Sequence, residues 1–154
     1  MKLINLGSHT LQEVNNFRFR PTRIDHLLEL AAFLPVLANW IYILYRYREA
    51  GGDLPSELYA SGVTALIIFL LLGVTGYCPL RYINFPFRVG RHNVAYQCAL
   101  ALRMIRVLNI LSSLHFLFIS LSIYHPWAYI GKAVSLGLLT LVLVGYMVLA
   151  WRHK

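Results

Sequence analysis

Four stretches of roughly 20 mostly apolar residues constrain this chain more than any other feature. They run from about Ile24 to Tyr45, Tyr59 to Cys78, Val107 to Tyr124 and Trp127 to Trp151. A helix rising about 1.5 Å per residue crosses the ~30 Å hydrocarbon core of a bilayer in about 20 residues. Lipid offers the backbone no hydrogen-bond partner, so a spanning segment must close its bonds within itself. The expected fold is all-α: an integral membrane four-helix bundle forming a single domain over residues 1–154. The composition points the same way. The chain is 58% hydrophobic and 13% charged, against about 45–50% and about 25% in soluble domains.

Charge sets the expected direction of the spans. Lys2, Arg18, Arg20, Arg23, Arg81, Arg88, Arg91, Arg103, Arg106, Arg152 and Lys154 fall on one side, and Arg46, Arg48 and Lys132 on the other. The positive-inside rule places the first group in the cytoplasm. With an even number of spans, both termini are expected to be cytoplasmic, in the cytoplasmic (inner) membrane. Trp40, Tyr42, Tyr45, Tyr47, Tyr59, Tyr124, Trp127 and Tyr129 cluster at the outer boundaries, and Tyr77, Tyr82 and Trp151 at the inner ones, as interfacial aromatic belts require. The first 23 residues hold no apolar core followed by a small-residue cleavage site, so no cleaved secretory signal is expected. The net charge of +8 is distributed around the apolar runs, without a nucleic-acid motif, so no nucleic-acid partner is expected. Cys78 and Cys98 have neither metal-pair nor disulfide-framework spacing and read as small apolar fillers.

The connections are unequal. Gly51-Gly52-Asp53-Leu54-Pro55 reads as a turn, and Ser56 as a candidate cap for the second span. Tyr124-His125-Pro126-Trp127 is so short that spans three and four should form an antiparallel hairpin. The long inner connection, residues 81–106, begins extended around Pro86 and becomes helical by composition. It reads as an inner interfacial helix running into the third span. There Arg88, Arg91, Arg103 and Arg106 would meet anionic lipid headgroups, each contributing about 1 kcal/mol.

Polar residues inside spans are costly, so each is a candidate site. Asp25, Glu29, Ala32, Val36 and Asn39 fall on one face of the first span, with Pro35 as a plausible kink. Glu29 reads either as a proton- or cation-binding carboxylate or as an ion pair with Arg103 or Arg106 near the interface. Its position one to two turns into the span favours the ion pair. Asn39 reads as an interhelical hydrogen-bonding group before a ligand contact. In the third span Asn109, Ser113 and Ser120 share a face. His115 reads as a neutral imidazole bonded to a neighbouring helix, with a proton relay or metal ligand as the sharper alternative. Gly131 with Ser135 and Ala133 with Gly137 are small-residue pairs suited to close packing, inside the bundle or in a homodimer. No catalytic motif, cofactor signature or metal-ligand spacing is present, so no cofactor, no metal and no catalytic residue are expected.

The inner segment Asn84-Phe85-Pro86-Phe87-Arg88-Val89, followed by Asn93 and Gln97 and then by Leu102-Arg103-Met104-Ile105-Arg106, carries a resemblance. Over roughly Tyr82 to Leu108 it resembles a bacterial family of small membrane proteins of unknown function, whose domain also forms the N-terminal part of SdpI-type immunity proteins. In that family an N-Y-P-like turn precedes an N-x-x-x-Q helix that feeds a span. The resemblance singles out Asn84, Pro86, Asn93 and Gln97. Leu54-Pro55 and Gly62 stand where that family has an outer-loop signature, without its second proline and histidine. The expectation is a non-enzymatic accessory, regulatory or immunity-type membrane component, with a protein partner or a homodimer. The alternative is a small proton-coupled transporter using Glu29, with Asn39 or His115 along the path. An intramembrane enzyme ranks third.

Overall fold

The computed structural model describes residues 21–77 and 94–152. Among them are four helices and no strand: α1 (Arg23–Glu49), α2 (Ser56–Thr75), α3 (Val94–Ser122) and α4 (Ala128–Arg152). Each is long and apolar enough to cross a membrane. The chain is therefore a multi-pass helical membrane protein.

Local chemistry explains where these helices begin and end. α1 starts at a capping box: Thr22 Oγ1 accepts from the Asp25 N–H, and the Asp25 carboxylate accepts from the Thr22 N–H at 2.7 Å. Two otherwise orphaned backbone donors are thereby satisfied. The helix then continues through Pro35 without interruption. At its far end Gly51 and Gly52 take φ of 66° and 101°, and the Gly52 N–H folds back onto the Tyr47 carbonyl at 3.0 Å. Only glycine adopts such angles at no steric cost, which is why the helix stops there.

The start of α2 differs from expectation. Ser56 is the first helical residue, and Pro55 occupies the cap position with no side-chain bond. The fixed ring and extended ψ of Pro55 hold the chain out of the helix up to that point, and the Leu58 N–H bonds the Pro55 carbonyl at 3.0 Å. The Ser56 hydroxyl therefore enters one residue too late to cap.

α3 also begins earlier than Val107. From Val94 on, the described part of the stretch expected to run helically into the third span forms the first turns of the same 29-residue helix. Gln97, Cys98, Ala101 and Leu102 are buried there, and Ala101 packs with Tyr146 and Ala150 of α4. At about 1.5 Å per residue the helix is some 43 Å long, more than a hydrocarbon core requires.

α3 is the hub of the bundle. It packs against α1, α2 and α4, and α1 also packs against α2. α3 and α4 form an antiparallel hairpin, tied by Gln97 to the Ala150 carbonyl at one end and His115 to Ser135 towards the other. α1 and α3 run in the same direction: Glu29 meets Arg106 at one end, and the Arg46 guanidinium lies 3.7 Å over the Tyr124 ring at the other.

The distribution of side chains is that of a lipid-solvated bundle. Leu30, Leu34 and Ile41 of α1, Leu70 and Leu71 of α2, and Ile130 and Leu141 of α4 all face outward. The buried positions are dominated by small and polar residues: Ala32, Ala65, Ser61, Asn39, Asn109, Ser113 and Ser120. Water would drive the large aliphatics inward. Lipid is as apolar as they are, so close packing of small residues and interhelical hydrogen bonds decide what lies inside.

Candidate functional site

The capping box that starts α1 also places two carboxylates on its inner face. Asp25 is fully buried and Glu29, one turn on, is a quarter exposed. Between them enters Arg106 from α3, whose side chain is 3% exposed. Its Nε lies 3.2 Å from Glu29 Oε1, and its Nη1 3.4 Å from Asp25 Oδ1. The remaining carboxylate oxygens are also engaged. Thr22 donates to Asp25 Oδ2 through both its backbone N–H and its hydroxyl, each at 2.7 Å. The Tyr77 hydroxyl, just beyond α2, donates to Glu29 Oε2 at 2.7 Å, and His26 Nδ1 lies 3.4 Å from the same oxygen. Gly76 lies against the guanidinium, a Cβ there standing 3.6 Å from Arg106 Nη2.

This cluster joins the start of α1, the end of α2 and the first half of α3. Two carboxylates against one guanidinium leave it formally at −1. Burying a lone charge is costly, and the arrangement is tenable because each ion meets an opposite charge and further hydrogen bonds.

Of the two places expected for Arg106, a lipid headgroup or an ion pair with Glu29, the structure gives it the ion pair. Its position on α3 faces the α1–α2 side, where the buried carboxylates are, and Coulomb attraction there outweighs hydration at the surface. Arg103, one turn earlier, is partly buried. Arg88 and Arg91, with Asn84, Pro86 and Asn93 of the family-like segment, lie outside the described residues. Gln97 of that segment is described: it is buried, and its Nε2 donates to the Ala150 carbonyl at 2.9 Å, satisfying an acceptor in the last turn of α4.

From the ion cluster a file of polar side chains continues between α1, α2 and α3. Asn109 Nδ2 donates to the Phe69 carbonyl at 3.2 Å. Ser113 and Asn39 follow, both buried. Ser61 and Ser120 are then hydrogen-bonded to each other across α2 and α3, and Ser61 donates onward to the Leu58 carbonyl. Arg106, Asn109, Ser113 and Ser120 are spaced 3, 4 and 7, which keeps all four on one face of α3.

Of the expected candidates, Glu29 and Asn39 are brought to this interior, and His115 is not. His115 Nδ1 lies 2.9 Å from Ser135 Oγ on α4, on the other side of α3. Ser135 donates its one proton to the Lys132 carbonyl at 2.9 Å. Ser135 thus joins His115 to the α4 backbone. His115 is a link between α3 and α4 and stands apart from Glu29.

Three participants have partners that the sequence alone does not assign. Asp25 stands on the expected shared face of α1, and the Thr22-x-x-Asp25 spacing is the sequence signal for its capping bond. Tyr77 reads in sequence as a boundary aromatic, and its hydroxyl bonds Glu29 across the bundle. Ser61 carried no signal, since its partner Ser120 is 59 residues away. Among the described residues, no three His, Cys, Asp or Glu side chains are grouped as a metal site. No family model, no curated protein and no solved structure matches the chain.

Proposed function

We propose that this chain is a non-enzymatic component of a bacterial cytoplasmic membrane, an accessory, regulatory or immunity-type protein that acts through protein and lipid contacts. One observation carries the reading. Polar side chains of the spans join helix to helix inside the bundle: Arg106 to Asp25 and Glu29, Asn109 to Phe69, Ser61 to Ser120, His115 to Ser135 and Gln97 to Ala150. What is offered outward is apolar, most of all on α4, where Ile130, Val134, Leu141 and Val144 are exposed. A chain built this way offers an apolar surface to neighbours in the membrane plane. The resemblance of residues 82–108 to small membrane proteins and immunity proteins supports the same class. The excess of Lys and Arg on one side supports cytoplasmic termini, with the early turns of α3 at the inner interface and anionic lipid against Arg88, Arg91 and Arg103.

The test is photo-crosslinking in native membranes from a probe at Ile130 or Leu141, with a probe at the buried Tyr146 as control. A discrete protein adduct from the outward positions alone is expected. Adducts with lipid only, at every outward position, would remove the contact reading.

A second reading has its own observation. Glu29 is the partly exposed member of the ion cluster, and it holds Arg106, Tyr77 and His26 at once. A carboxylate so placed ties the start of α1 to the end of α2 and to α3, the position a small proton-coupled transporter would use for its coupling group. Proton-driven uptake in proteoliposomes should be lost in Glu29→Gln with folding intact; retained uptake rejects this reading.

A further inference from the structure

The polar file holds a group whose hydrogen bonds are unmet. Asn39 is fully buried, and neither its Nδ2 nor its Oδ1 has a hydrogen-bond partner among the described residues. The same holds for Ser113 Oγ and for Asn109 Oδ1, both on buried residues. Buried amides and hydroxyls are almost always paired, and a cluster of exceptions points to an occupant.

The helix register brings these groups together. Glu29 on α1 meets Arg106 on α3. Further along, Ile43 packs at Gly62 while Ser120 bonds the adjacent Ser61. Fourteen residues separate Glu29 from Ile43, and fourteen separate Arg106 from Ser120. The two helices therefore climb in step, about 21 Å between the two tie points. In this register Ser113 is level with Val36, so Asn39 stands less than one turn above it. Asn39 lies on the buried face of α1 and Ser113 on the buried face of α3. On α2 the intervening buried residue is Ala65, whose methyl group takes up little of the space between. Asn109 lies one turn below Ser113 on the same face of α3.

We infer that Asn39, Ser113 and Asn109 form an internal hydration site that holds water between the Glu29–Arg106 ion cluster and the Ser61–Ser120 pair. The chemistry selects water. The site mixes an amide donor with amide and hydroxyl oxygens, and water both donates and accepts. A buried water typically makes about two to four hydrogen bonds, which these groups supply. A bare cation would face the Asn39 amide protons and, one turn from Asn109, the positive Arg106. With water in place, the unmet groups of Asn39, Ser113 and Asn109 gain partners in the stretch between the ion cluster and the Ser61–Ser120 pair. This stands independently of either functional reading above.

The test is water-edited solid-state NMR on the full chain in liposomes, with labelled Asn and Trp. Asn39 is assigned through the Asn39–Trp40 peptide, the one Asn-Trp step in the sequence, so no variant is needed to find it. The expected result is transfer of water magnetisation to the Asn39 side-chain amide, and partial loss of that transfer in Ser113→Val. An Asn39 amide seen in the direct spectrum and missing from the water-edited one would overturn the site. Unchanged transfer in a folded Ser113→Val would overturn Ser113 as part of it. If Ser113→Val fails to fold, Ser113→Ala, which also removes the hydroxyl, is read by the same criterion.

Discussion

Arg106 shows how much one side chain can decide in an interior that lacks water. It is 3% exposed and lies against a fully buried Asp25 and a quarter-exposed Glu29. Removing one partner of a buried ion pair leaves the other charge uncompensated, at about 3–5 kcal/mol. Arg106→Met is therefore expected to destabilise the protein by about that amount, read as a lowered Tm in detergent. Adding Asp25→Asn should recover part of the loss, because the stranded charge is then gone. An unchanged Tm in Arg106→Met would mean that the carboxylates are solvated. Glu29→Gln should cost less, since its carboxyl keeps contact with water and the amide oxygen still accepts from Tyr77. That difference makes Glu29→Gln usable in a transport assay.

At the scale of the element, α4 has two faces with different neighbours. A virtual Cβ on Gly131 collides with the ring of Phe118 on α3, and Ser135, one turn on, takes the His115 bond. This small-residue pair seats α4 on α3. Gly137 has nothing within 4 Å of its virtual Cβ, and Ala133 beside it is exposed. The sequence offered both pairs as packing motifs, and only the Gly131–Ser135 face is used within the chain. Gly131→Leu should destabilise by overpacking, at about 1–3 kcal/mol. Gly137→Leu should stay within about 0.5 kcal/mol. Both are read by thermal unfolding in detergent, and equal losses would show that Gly137 packs against something in the purified protein. α3 shows the same selectivity: one face carries the polar file, another meets α4, and Tyr96 near its start is its one exposed large apolar side chain among the described residues.

At the scale of the whole molecule, the bundle is three helices around a polar interior with a fourth attached to the back of α3. Outward surfaces are aliphatic, so a bilayer is required to keep it soluble. The expected orientation has the α1–α2 turn outside and both termini in the cytoplasm, because eleven of the fourteen Lys and Arg residues fall on the terminal side. Asp53→Cys, in that turn, should react with an impermeant maleimide added to intact cells. Labelling of Asp53→Cys only after lysis would invert the topology. The ion cluster would then lie at the outer face, and a transport reading would need its direction reversed.

The sequence by itself determined that the chain crosses a membrane as four helices, and nearly where. That information is local: an apolar run of sufficient length has one backbone solution in lipid, and Gly51-Gly52 ends a helix through angles that belong to those residues alone. The shared faces of Glu29 with Asn39, and of Asn109 with Ser113 and Ser120, were legible for the same reason, since helical spacing is arithmetic. Tertiary structure alone decided which faces meet. The sequence offered Arg103 and Arg106 alike to Glu29, and nothing near Arg106 marks it as the arginine that also meets Asp25, because the energy that chooses comes from carboxylates about 80 positions away. His115 and Asn39 carried equal weight as intramembrane polar residues. Only the packing of α4 behind α3 sent His115 to Ser135 and left Asn39 facing the polar interior, because a hydrogen bond in lipid goes to whichever partner the helix geometry brings within reach.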